Sequence, residues 1–152
     1  MTRKEQYNQL ILQIAGLIKD ETNLVGILAN VSAALHDTFP ERFFWVGFYL
    51  QENGNMLRLG PFQGSVACYV IPFGKGVCGK AWEEERTLIV PDVEKFPGHI
   101  ACSSLSRSEI VVPMYDDSHT FRGVLDIDST RLNDFNEDDR EGLERIIKLL
   151  MT

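Results

Sequence analysis

Residues 43–50 read FFWVGFYL. The run is far too short to cross a bilayer, which takes about 20 apolar residues in a helix. Its aromatic content suits a strand instead. Side chains alternate between the two faces of a strand, so Phe44, Val46, Phe48 and Leu50 share one face. Trp45, Gly47 and Tyr49 share the other, and two large aromatics flanking a glycine leave a notch between them. A strand with two unlike faces belongs to a sheet that meets a core on one side and something different on the other.

The same asymmetry recurs further along. In residues 109–115, Ile110 and Val112 share a face opposite Glu109, Val111 and Pro113. In residues 121–128, Leu125 and Ile127 lie opposite Val124, Asp126 and Asp128. Residues 56–62, 67–73 and 87–90 supply further strand-like runs, and the turns ENGN (52–55) and DDSH (116–119) suggest antiparallel hairpins. Helical spacing of Tyr7, Leu10, Ile11, Ile14, Leu17 and Ile18 predicts a helix over residues 3–19. A second follows with Leu24, Ile27, Leu28, Val31 and Leu35, capped by Thr22 or Asn23. A last one follows Asn136, with Asp139 completing a capping-box start. The order helix–helix–strands–helix predicts an α+β fold over residues 1–152, an antiparallel sheet with helices packed on one face. The second face would then line a loop-covered pocket with Trp45, Tyr49, Glu109, Asp126 and Asp128. Taken alone, Asp126 and Asp128 read more readily as a solvated strand face, and Trp45 and Tyr49 as ordinary core; it is their coincidence with the three thiols that favours a pocket.

The 152 residues carry a net charge of −7. Nucleic acid and anionic membranes need clustered Lys and Arg, so this balance argues against both. The start MTRKEQYNQL has no apolar core of a signal peptide, so a cytoplasmic setting is expected. Three cysteines, Cys68, Cys78 and Cys102, then argue against a disulfide framework and for a reactive or buried thiol.

Two motifs mislead. GKGVCG, residues 74–79, is a literal G-x-G-x-x-G, but only about two helical turns follow before the next strand, too few for a dinucleotide unit. A glycine turn into a short helix fits better. Cys68, Cys78, Cys102 and His99 could supply four zinc ligands, yet no C-x-x-C or H-x-x-x-H spacing is present. Thiol chemistry remains. Cys102 sits in a polar loop with Ser103, Ser104, Ser106 and Ser108 and with Arg107 nearby, the setting of a reachable, thiolate-prone cysteine. Cys68 follows the polar FQGSVA and is similarly placed, while Cys78 lies in the glycine turn. Composition alone leaves each of them open to a structural role.

In order, FWVGFYL, LGPFQGSVAC, IPFGKGVCGKAW, VPDVEKFPGHIAC, SEIVVP and GVLDIDS resemble the free methionine-(R)-sulfoxide reductases, small GAF-fold enzymes. The cysteine spacings match as well, 78 − 68 = 10 and 102 − 78 = 24. The resemblance implies a single GAF-like domain and reduction of free methionine-R-sulfoxide to methionine. It implies that Cys102 attacks, that Cys68 resolves it as a disulfide, and that Cys78 is auxiliary in recycling. Glu109, Asp126 and Asp128 would be substrate-binding acids, Glu109 also catalytic, and Trp45 and Tyr49 an aromatic wall against the thioether methyl. No cofactor or metal is implied beyond an external dithiol such as thioredoxin, and a homodimer is implied only in this way. Ser103 departs from the acid expected directly after the attacking cysteine, and the turn before FRGVLDIDS is slightly longer. Two other functions fit the same residues: a GAF sensory module that binds a small ligand without catalysis, and a general thiol antioxidant reducing peroxide at Cys102.

Overall fold

The protein is described by a computed structural model covering residues 1–152. Two helices, α1 (Arg3–Ile18) and α2 (Leu24–Thr38), precede a run of β1 (Trp45–Glu52), β2 (Met56–Gln63) and β3 (Val70–Pro72). The chain continues through α3 (Gly76–Glu84), β4 (Leu88–Val90), a 3₁₀ turn (Val93–Lys95), β5 (Ser108–Tyr115), β6 (Phe121–Ser129) and α4 (Glu137–Leu150). The strands form one antiparallel sheet in the order β3-β2-β1-β6-β5-β4. Strands β1 and β6 are therefore its centre, flanked by β2 and β5.

The two sheet faces bury different cores. Val46, Phe48, Ile110, Val112, Leu125 and Ile127 meet α1, α2 and α4. Full burial of each such side chain stabilises the fold by about 1.5–3 kcal/mol. Trp45, Tyr49, Val111 and Val124 form a second cluster on the far face with Leu57, Ile71 and residues of α3. Asp139 fastens the first layer. It completes the capping box of α4 with Asn136, accepts a 2.6 Å hydrogen bond from the Tyr7 hydroxyl, and pairs with Arg3 and Arg42.

Four expectations change. Three helices pack on one face, but α3 packs on the other, because Val77, Cys78 and Ala81 join the second cluster. The strand expected over 67–73 shrinks to Val70–Pro72, leaving Cys68 in a loop. Phe44 precedes β1 and escapes its pleat, so it packs with Trp45 rather than with Val46. Lastly, α1 starts from a Thr2–Glu5 capping box, whereas Asn23 stands at the start of α2 without a side-chain cap bond.

The notch at Gly47 is filled. Any Cβ there would collide with Phe62 of β2 and lie 2.8 Å from the Trp45 ring. Glycine lets the two rings stack across it, with centroids 5.1 Å apart. Gly79 has a similar reason, since a Cβ would stand 2.5 Å from the Pro72 carbonyl oxygen. The GKGVCG glycines thus press a nine-residue helix against β3, with no crossover of the dinucleotide type.

Candidate active site

Strand register places the acids side by side. Asp128 of β6 lies opposite Glu109 of β5 and Trp45 of β1, and Asp126 lies opposite Val111 and Gly47. Directly opposed residues hold their Cβ atoms about 5 Å apart, so three carboxyls and an indole share one patch of the far face. Helix α3 adds Cys78, and the loop after the 3₁₀ turn adds His99, Ile100, Cys102, Ser103 and Ser106. Together these residues line a small cavity of about 40 Å³.

The cavity's loops are tied to its wall. Trp45 Nε1 donates to the Ser65 carbonyl at 3.0 Å, and the Tyr49 hydroxyl donates to the Cys68 carbonyl at 3.1 Å. The two aromatics stand 5.9 Å apart and stack. Strand β1 thereby holds the backbone that carries Cys68. Cys68 and Cys102 are joined as a disulfide, with Cα atoms 5.5 Å apart across 34 positions. Cys78 is the free and buried thiol.

Burial governs the charges. Glu109 is pushed up to about 8, first because it is desolvated and then because Asp128 repels its ionised form. Asp126 is held well above the ordinary carboxylate range by burial and by Glu109, and Asp128 by burial and by Asp126. Burial and mutual repulsion thus bias the cluster toward its protonated forms, since several carboxylates in one buried pocket cannot all ionise cheaply. Burial and the same acids push the Cys78 thiol well above its usual range. Burial lowers His99, with Asp126 opposing, and its Nε2 lies 3.7 Å from Glu109 Oε1. Asp126 Oδ1 and Ser106 Oγ are buried with no protein partner, and both residues line the cavity. Such a site can donate protons to an oxygen, accept from an ammonium group, and offer sulfur from Cys102.

Comparison with known proteins fits this arrangement. The GAF domain family matches residues 21–151. The chain is 43% identical to the free methionine-R-sulfoxide reductase of Saccharomyces cerevisiae, over 99% of this chain and 86% of the yeast protein. The chain belongs to the free methionine-R-sulfoxide reductase family. The free methionine-R-sulfoxide reductase of Neisseria meningitidis, solved with its substrate, superposes with a TM-score of 0.95. It is 47% identical, covering 99% of this chain and 89% of that one. The GAF domain-containing protein A of Dictyostelium discoideum is 58% identical over 98% of this chain and 92% of its own length. No helix of this reductase-family chain is long and apolar enough to cross a membrane.

Of the residues singled out from the sequence, Trp45, Tyr49, Cys78, Cys102, Glu109, Asp126 and Asp128 all line the cavity. Cys68 does not, and reaches the site through its bond to Cys102. In the sequence, His99 reads only as a candidate metal ligand and Ser106 only as loop polarity. Their proximity to Cys102 in GHIACSSLS was the available signal.

The acids make stability depend on pH. A glutamate in an unfolded chain titrates near 4.3, whereas folded Glu109 keeps its proton to about 8. Between those values the folded state binds more protons than the unfolded one, so stability falls as pH rises. The slope is at most about 1.4 kcal/mol per pH unit for one such group. Urea midpoints measured from about pH 5 to about pH 8 should decline, and Glu109→Gln should flatten the decline. His99, lowered by burial, contributes the opposite sign at about pH 6, so the deciding comparison is with the variant: a wild-type slope identical to that of Glu109→Gln would mean that Glu109 is ionised in the fold.

Proposed function

We propose that this chain reduces free methionine-R-sulfoxide to methionine, with Cys102 as nucleophile. The observation that carries the reading is the Cys68–Cys102 disulfide beside a cavity walled by three proton-retaining acids. The Cys102 thiolate attacks the sulfoxide sulfur while protonated Glu109 donates to its oxygen, and the oxygen passes to the cysteine as a sulfenic acid. Methionine leaves. The Cys68 thiol then attacks the Cys102 sulfur, water departs, and the disulfide forms. An external dithiol, thioredoxin in our reading, takes the disulfide back to two thiols and is itself oxidised.

Trp45 and Tyr49 pack against the thioether methyl, and Asp126 and Asp128 receive the α-ammonium. Cys78 joins recycling as a slower auxiliary thiol, because its surroundings disfavour a thiolate. A cytoplasmic setting suits a disulfide that turns over instead of bracing the fold. A sensory binder would have no use for a linked cysteine pair at the cavity, and a peroxide reductase would need no pocket of acids.

The test is turnover with separated R and S sulfoxides of free methionine, with hydrogen peroxide as the competing oxidant. Thioredoxin-supported methionine formation from the R isomer is the expected outcome. Cys68→Ser should yield about one methionine per active site and then stall with thioredoxin, because the sulfenic acid lacks its partner. No methionine from either isomer, or faster turnover of peroxide, would refute the reading. Undiminished turnover by Cys68→Ser would move the resolving role to another thiol.

A further inference from the structure

We infer that Cys78, Glu109 and Asp126 form a binding site for one thiophilic divalent cation of the zinc class. The Cys78 sulfur and one carboxylate oxygen from each acid all lie within 4.8 Å of one another. A tetrahedral zinc bonds sulfur at about 2.3 Å and oxygen at about 2.0–2.2 Å, which sets its ligand atoms roughly 3.5 Å apart. Closing the set around an ion therefore takes on the order of an ångström of side-chain adjustment.

The ligands come from α3, β5 and β6, three elements packed in one core, so their separation is fixed by the fold. All three residues are buried, at 3%, 5% and 6% exposure. Asp126 Oδ1, buried in the cavity wall with no hydrogen bond, has lone pairs open to a cation, whether a metal ion or the substrate ammonium assigned above. Three protein ligands leave the fourth tetrahedral position to water; His99 Nε2, 3.7 Å from Glu109 Oε1, lies beside the set but outside it.

The donor set selects the ion. A thiolate favours borderline transition cations over magnesium and calcium, which want more oxygens. On binding, Cys78 and the two acids release their remaining protons to solvent, and three anions face a dication. This set differs from the sequence-level grouping of Cys68, Cys78, Cys102 and His99, because the Cys68–Cys102 bond withdraws two of those sulfurs. The site also overlaps the acids assigned above to substrate, so a bound cation should block the reductase. That consequence rests on the proposed function, whereas the binding itself does not.

The experiment titrates the oxidised protein with Co²⁺, keeping the Cys68–Cys102 bond closed so that Cys78 is the one thiol able to respond. One Co²⁺ per chain should bind with a thiolate-to-cobalt charge-transfer band, and Zn²⁺ should displace it. Cys78→Ser should lose the band. Asp126→Asn and Glu109→Gln, close to isosteric, should weaken Co²⁺ binding at least about 10-fold, the lower end of what even an outer-shell partner costs. Absence of the band in the folded oxidised protein would overturn the site. So would a band whose affinity is unchanged in both acid variants, since a lone thiol would then explain it. The titration contains no sulfoxide and the turnover assay no metal, so either can fail while the other stands.

Discussion

Cys102→Ser is expected to form no methionine from free methionine-R-sulfoxide, even when the enzyme is in excess and only one turnover is required. Oxygen transfer needs a sulfur nucleophile that can accept the oxygen as a sulfenic acid, and a hydroxyl cannot do so. The other two thiols are poor substitutes. Cys68 is outside the cavity lining, its backbone held by the Tyr49 hydroxyl. Cys78 lines the cavity, but burial and three carboxyls suppress its thiolate. Cys102 is half-buried in the loop that covers the acids, where its sulfur can approach a bound sulfoxide while Glu109 faces the same space. Quantifying methionine after rapid mixing checks the expectation. Methionine formed at near the wild-type rate would remove Cys102 from the chemical step.

Period-two alternation makes much of this site legible in the sequence. Trp45 and Tyr49 could be separated from Val46 and Phe48, and Asp126 and Asp128 from Leu125 and Ile127, because a strand's pleat leaves a side chain only two directions. Where the pleat ends, so does the inference. Phe44 lies one residue before β1, and its packing with Trp45 depends on the preceding loop. Gly47 read as an open notch because its occupant, Phe62, comes from another strand through a register that no local pattern states. The side of the sheet on which α3 packs is set by Val77, Cys78 and Ala81 joining Trp45, Tyr49, Val111 and Val124, residues of strands far away in the chain. The pairing of Cys68 with Cys102 came from family resemblance, since their polar surroundings alone favoured no partner. His99 became part of the site only when the loop folded it to within 3.7 Å of Glu109.

Free methionine-R-sulfoxide should be reduced about 10⁴-fold more efficiently than its N-acetyl derivative, the discrimination available to a site built around a polar group that the analogue lacks. The argument starts with the acids. Left alone they retain protons, Glu109 up to about 8. An α-ammonium arriving beside Asp128 favours that residue's ionised form, because an opposite charge nearby offsets desolvation. Glu109 can stay protonated for the sulfoxide oxygen. One pocket then holds a carboxylate for the ammonium and a carboxylic acid for the oxygen at a separation fixed by the β5–β6 register. An acetamide brings no charge, so it leaves Asp128 either unpaired or protonated, and its added bulk must pass loops tied to the wall by Trp45 and Tyr49. Glu109→Gln should slow the chemical step by about 10²-fold, a typical share for one general acid. Asp128→Asn should weaken binding of the free amino acid while narrowing its advantage over the N-acetyl compound. Comparing kcat/KM for the two substrates across these variants is the measurement. Equal efficiencies on free and N-acetylated sulfoxide would mean that the acids do not read the amino group, and the pocket would have to recognise the sulfoxide alone.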